Sequence, residues 1–139
     1  MIQKIGVIGA GQMGNGIAHV CAMNGFEVSL VDANPDALPK ALATIGANMD
    51  RQIKKGAMTQ AAKDAAMAKI ATGTDMAAFA NADLVIEAAT ENEAVKREIF
   101  KKLCPHLKKS ALIASNTSSI SITRLGASTD RPAQFMGMH

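Results

Sequence analysis

A doubly wound α/β fold, with a mostly parallel sheet and helices on both faces, is predicted by three features of this 139-residue chain. The first is a short apolar run, Lys4-Ile5-Gly6-Val7-Ile8, that meets a G-x-G-x-x-G turn (Gly9, Gly11, Gly14) and passes at once into a helical stretch at residues 15–23. The second is another strand, residues 27–32, that ends on a carboxylate, Asp32. The third is the alternation of strand-like and helix-like segments over the rest of the chain, which is how consecutive βαβ crossovers appear in sequence.

Each glycine of the turn has a separate reason. Gly9 permits the sharp exit from the strand. Gly11 has no side chain to hold a diphosphate away from the backbone. Gly14 lets the helix sit close against the sheet. The helix start then directs unpaired N–H groups and the positive end of its dipole at the phosphates. Gly9, Gly11, Gln12, Met13 and Gly14 are therefore the expected diphosphate-binding residues. Asp32 falls 18 positions after Gly14, close to the spacing of about 20 expected for the acid that holds the adenosine ribose. A carboxylate there accepts from ribose hydroxyls and repels a 2′-phosphate, so NAD is expected rather than NADP. The plain alternative is an ordinary glycine-rich turn. The strand, helix, second strand and terminal Asp in register weigh against it.

The elements that follow extend the pattern. Ala33-Asn34-Pro35-Asp36 reads as a turn, and Pro39 obscures where the next helix begins. Ala41, Ile45, Met49, Gln52 and Ile53 recur near 3.6 spacing, predicting a helix over 41–55 that Gly56 stops. Thr59 can cap a second helix over 60–69. This helical pair, residues 36–69, stands where a minimal nucleotide fold has a single crossover. Residues 70–72 form a weak third strand, and Thr74 or Asp75 caps a short helix to Phe79. Residues 82–88 are a nearly all-apolar fourth strand, as expected for a sheet covered on both faces. Residues 93–103 are an amphipathic helix whose expected buried stripe is Val95, Ile99, Phe100 and Leu103. Residues 111–115 form a fifth strand, a polar turn follows at 116–119, and residues 134–139 begin a sixth. Right-handed crossovers predict the strand order 3-2-1-4-5-6. Ligand then binds beyond the carboxyl ends of the strands, near Gly11, Asp32 and the turns 88–91 and 116–119.

Bulk properties narrow the function classes. Hydrophobic content is 48%, and no apolar run approaches the length of a membrane span. The first strand begins almost at Met1, so no secretory signal is read and a cytoplasmic location is expected. Cys21 and Cys104 form no metal-ligand spacing, and a disulfide is not expected in a reducing compartment. The net charge of +3, with four Phe and no Trp or Tyr, does not point to nucleic acid. Metal, nucleic acid and membrane are all left out of the expected partners.

Five segments together resemble the 3-hydroxyacyl-CoA dehydrogenases, including the bacterial 3-hydroxybutyryl-CoA dehydrogenases. They are GAGQMGNGIA (9–18), VDANPDAL (31–38), IEAATENEAVKREIF (86–100), ASNTSSISIT (114–123) and RPAQFMGMH (131–139). They run the length of the chain in order, and the later three are more specific than the glycine turn. The resemblance implies hydride transfer from C3 of a 3-hydroxyacyl-CoA to NAD, or the reverse. It implies that Glu91 and Lys96 approach the cofactor, the alternatives being a helix-start charge and a solvated helix face. It implies that Ser118 touches substrate hydroxyl and cofactor, against the alternative of a capping turn, and that His139 is the catalytic base. His19 and His106 match no motif and receive no role. The helical pair is implied to hold the coenzyme A arm, with Arg51, Lys54 and Lys55 meeting its phosphates; a solvated basic face is the alternative for each.

The resemblance also implies more than the chain contains. Family members continue past this histidine to a glutamate that pairs with it and to a helical domain that carries an asparagine near the substrate and the main dimer surface. The chain is accordingly expected to be one NAD-binding Rossmann domain, residues 1–139, of a longer protein that is a homodimer when whole, binding NAD without turnover. Two other readings remain open at this point. One is an NAD-dependent dehydrogenase of a hydroxy acid without coenzyme A, and the other is a complete, non-catalytic NAD-binding module.

Overall fold

A computed structural model describes residues 1–117 and 120–138. Six strands, β1 (Lys4–Ile8), β2 (Glu27–Val31), β3 (Ile70–Gly73), β4 (Leu84–Glu87), β5 (Leu112–Ser115) and β6 (Phe135–Gly137), form a sheet ordered β3-β2-β1-β4-β5-β6. Every neighbouring pair is parallel. This is the doubly wound order expected from the sequence. Its switch point lies between β1 and β4, where successive crossovers turn in opposite directions and open a crevice at the carboxyl edge.

The helices are α1 (Gln12–Met23), α2 (Ala37–Lys54), α3 (Gln60–Ala68), α4 (Glu93–Leu103) and α5 (Ile122–Ala127). Alternate strand residues face opposite layers, because side chains along a strand repeat every two positions. Ile5, Val7, Val28 and Leu30 pack with Ala18 and Ala22 of α1, Ile45 and Met49 of α2 and Ala66 of α3. Ile8, Val31, Val85 and Ile113 pack on the other face with Phe100 and Leu103 of α4, Leu125 of α5 and Phe79. Phe100 and Phe135 meet edge to face, with ring centroids 5.1 Å apart, the arrangement the ring quadrupole favours.

Local differences from the sequence reading have simple causes. The first helix of the insertion starts at Ala37 instead of residue 41. Pro39 is then its third residue, where a backbone N–H has no intrahelical acceptor and its loss costs nothing. Thr59 and Asp75 cap as expected, accepting from Ala62 N (3.1 Å) and Ala77 N (2.8 Å). Helix α4 is capped by Asn92, which accepts from Val95 N at 3.1 Å, so Glu91 precedes the helix and does not begin it. The face of α4 is also rotated from expectation. Val95 is 46% exposed, while Lys96 is fully buried with Phe100 and Leu103.

Candidate functional site

The glycine turn connects β1 to α1 at the carboxyl edge of the sheet. Gly9 has φ +103°, a region that side-chain-bearing residues rarely occupy. At Gly14 a Cβ would lie 1.6 Å from Gly9 O, so α1 approaches the turn as closely as a glycine allows. Gly11 differs from both. A Cβ there would meet nothing within 4 Å. Neither packing nor backbone strain asks for glycine at this position, and the surface in front of it is bare main chain. Gly11 also caps α1 without offering any side-chain acceptor, which leaves the first amides of the helix for a ligand. The Gln12 and Met13 side chains border an apolar groove of about 520 Å³ beside α1, so what they bring to this cradle is their N–H groups. An unfilled space at Gly11 above capless amides fits a diphosphate.

Asp32 stands at the end of β2, partly exposed. Its Oδ2 accepts from Ala10 N and its Oδ1 from Asn34 N, both at 2.8 Å. The carboxylate therefore braces the glycine turn from the side. Each oxygen keeps a further lone pair for a ribose hydroxyl. The bond to Ala10 was not foreseen from sequence, because it depends on β1 and β2 lying side by side.

At the other side of the switch point the chain builds a buried polar cluster. Glu87 ends β4 and Ser115 ends β5, paired in register and both fully buried. Glu87 Oε1 accepts from Lys96 Nζ and from Ser115 Oγ (2.7 Å), and Oε2 accepts from Ala89 N (2.7 Å). Above this, Thr117 Oγ1 donates to Glu91 at 2.8 Å. Residues 88–91 and Asn116 line, with Met13, a cleft of about 210 Å³ at the sheet edge. Glu91 is exposed there. Lys96 is not a lining residue; its ammonium faces inward to Glu87, which removes the alternative of a solvated helix face. Sequence reasoning missed Glu87. A single carboxylate closing the otherwise apolar strand Leu84-Val85-Ile86 was the available signal.

The remaining expected residues fall elsewhere. Ser118 and His139, like Ser119, lie outside the described residues. Arg51, Lys54 and Lys55 are exposed near the end of α2. The connection after α2 shares a cavity with Met23, the last residue of α1, at the end of that helix away from the glycine turn. Among the described residues, titration of other groups does not mark a second site. Burial pushes both thiols up and the His19 imidazole down. Lys108 and the amides of Gln3 and Lys4 hold the Asp83 carboxyl well below the usual range, but Asp83 precedes β4 at the opposite edge of the sheet. Among the described residues no helix is long and apolar enough to cross a membrane.

The parallel order, the open cradle and the strand-end carboxylate define a dinucleotide-binding domain. Residues 4–139 match the model of the 3-hydroxyacyl-CoA dehydrogenase NAD-binding domain, and the chain belongs to that family. It is 54% identical over 139 residues to a 3-hydroxybutyryl-CoA dehydrogenase of Bradyrhizobium diazoefficiens, covering 100% of this chain and 47% of the relative. Among solved structures it resembles (S)-3-hydroxybutyryl-CoA dehydrogenase of Ralstonia eutropha, with TM-score 0.97, 46% identity and coverage of 100% of this chain and 49% of that one. It also resembles 3-hydroxybutyryl-CoA dehydrogenase of Escherichia coli K12, with TM-score 0.97, 38% identity and coverage of 100% and 29%. The chain thus spans about half the length of the first of these relatives. Its cofactor is NAD.

Proposed function

We propose that this chain is the cofactor-binding part of an NAD-dependent dehydrogenase that interconverts 3-hydroxyacyl-CoA and 3-oxoacyl-CoA, with 3-hydroxybutyryl-CoA as the representative substrate. The observation that supports this most is the unfilled cradle at Gly11 beside Asp32, in a chain 54% identical to an enzyme of that name.

In this reading the amides at Gln12 and Met13 bind the diphosphate, and Asp32 accepts from the adenosine ribose. Glu91 borders the nicotinamide side. Ser118 orients the substrate hydroxyl. His139 takes the hydroxyl proton, a task suited to an imidazole whose ordinary pKa is about 6.5. The nicotinamide supplies the hydride chemistry when bound. Arg51, Lys54 and Lys55 are offered to the phosphates of the coenzyme A arm. The chain spans about half the length of its first relative, and in this reading it binds NAD without turning over substrate.

Thermal unfolding tests the reading. NAD at a hundredfold excess over its Kd adds about 2.7 kcal/mol to the folded state. The expected results are a raised melting temperature with NAD, a smaller rise with NADP, and no oxidation of NADH by acetoacetyl-CoA. Absence of any NAD-dependent shift overturns cofactor binding. Protection by a sugar acid, with none from coenzyme A, moves the substrate class away from acyl-CoA.

A further inference from the structure

The Glu87–Lys96 pair is an expensive feature, and Glu87 has no role in the chemistry described so far. Both side chains are fully buried. Removing two charges from water is costly, and an apolar pair of similar volume is commonly as stable or more so. Stability alone therefore gives no reason for the pair. Its connections give one. The single carboxylate of Glu87 gathers the ends of two adjacent strands, the turn after β4 and helix α4, through Ser115 Oγ, Ala89 N and Lys96 Nζ. Thr117 and Glu91 join the two turns again above it. Both turns are walls of the cleft at residues 88–91 and Asn116. Asp32, at the far side of the switch point, takes the adenosine ribose. A dinucleotide stretched across the crevice then sets its second nucleoside against these walls.

We propose that Glu87, with Lys96 as its buried counter-charge, is a positioning residue for the nicotinamide riboside half of NAD. It acts by fixing the backbone of the turns 88–91 and 116–117. The proposal rests on reading the β4–β5 edge as the nicotinamide end.

The test compares NAD with ADP, which keeps the adenosine and diphosphate and lacks the nicotinamide riboside. Calorimetric affinities are measured on the 139-residue chain for wild type, for E87M/K96M, which has no charge and no acceptor, and for E87Q/K96M, which has no charge but keeps an oxygen for Ala89 N. A dissociation constant for NAD raised about tenfold in E87M/K96M, with ADP unchanged and E87Q/K96M recovering part of the loss, is the expected pattern. NADH emission gives a second readout. The chain has no Trp or Tyr, so the change on binding reports the nicotinamide surroundings directly, and E87M/K96M is expected to reduce it. If E87M/K96M does not fold, Ser115→Ala leaves the ion pair in place and removes one bond to Oε1. About a fivefold loss confined to NAD is expected there. Equal losses for NAD and ADP, or no loss in a folded variant, overturn the positioning role. Wild type binding neither ligand overturns the functional reading itself.

Discussion

At the β1–β2 end of the crevice the ligand-facing surface is bare main chain, held by glycine geometry. At the β4–β5 end two turns, at 88–91 and at Asn116–Thr117, face the crevice, and buried side chains hold them. The first end is local in sequence. Gly9, Gly11 and Gly14 lie in the turn and the first turn of α1, and Asp32 braces Ala10 from the next strand. The second end is assembled from Glu87, Ala89, Lys96 and Ser115, drawn from two strands, a turn and a helix. The contrast teaches that a diphosphate, whose charge is recognised by amides at a helix start, needs little beyond a well-shaped turn. A site for a nucleoside and a reacting carbon needs two loops fixed relative to each other, and here a buried charge pair fixes them.

Breaking the two ends separately gives different expected losses. Lys96→Met alone leaves the Glu87 carboxylate buried without its counter-charge and is expected to cost about 3–5 kcal/mol of unfolding free energy in denaturant titration. Adding Glu87→Met is expected to restore most of that. At the glycine end, Gly14→Ala forces a methyl onto Gly9 O and is expected to cost about 3 kcal/mol or more. Gly11→Ala meets no atom within 4 Å. Stability there is expected to change by less than about 1 kcal/mol, while NAD affinity falls about tenfold or more, since the methyl occupies the cradle. A Gly11→Ala chain that binds NAD normally sinks the cradle.

Asp32→Ala sharpens the comparison further. It removes a charged acceptor from both the ribose and Ala10 N, so a loss of about 2 kcal/mol in NAD binding is expected, with a narrowed preference over NADP. An unchanged ratio of the two affinities removes Asp32 from the ribose. The smallest expected effect is a pH dependence on α1. Burial holds the His19 imidazole below its ordinary pKa of 6.5, so the unfolded chain binds a proton where the folded chain does not. The stability from this group is fully present above about pH 6.5 and declines as the pH falls below it. His19→Gln is expected to flatten that decline in melting curves, and an unaltered slope excludes His19 as its source.

Much of the glycine end was legible in the sequence. Its residues are neighbours in the chain, and their types follow from backbone requirements that any turn of this shape imposes. The helical pair at 36–69 was legible too, except that α2 begins at Ala37, since a proline in the first turn looks like an interruption while it costs no hydrogen bond. Helix α4 was harder. A 3.6-residue period fits a stripe through Val95 as well as one through Lys96, and hydropathy favours the valine. The structure chose the lysine because a carboxylate from β4 waits beneath it.

The sequence by itself determined the alternation of strands and helices, the glycine turn and the acid that closes β2, because backbone conformation and apolar periodicity are read from adjacent residues. Only the tertiary structure decided that Glu87, Lys96 and Ser115 share one buried cluster and that Asp32 braces Ala10. Those contacts exist only once parallel strands lie in register, where burial makes an unpaired charge costly enough to select its partner.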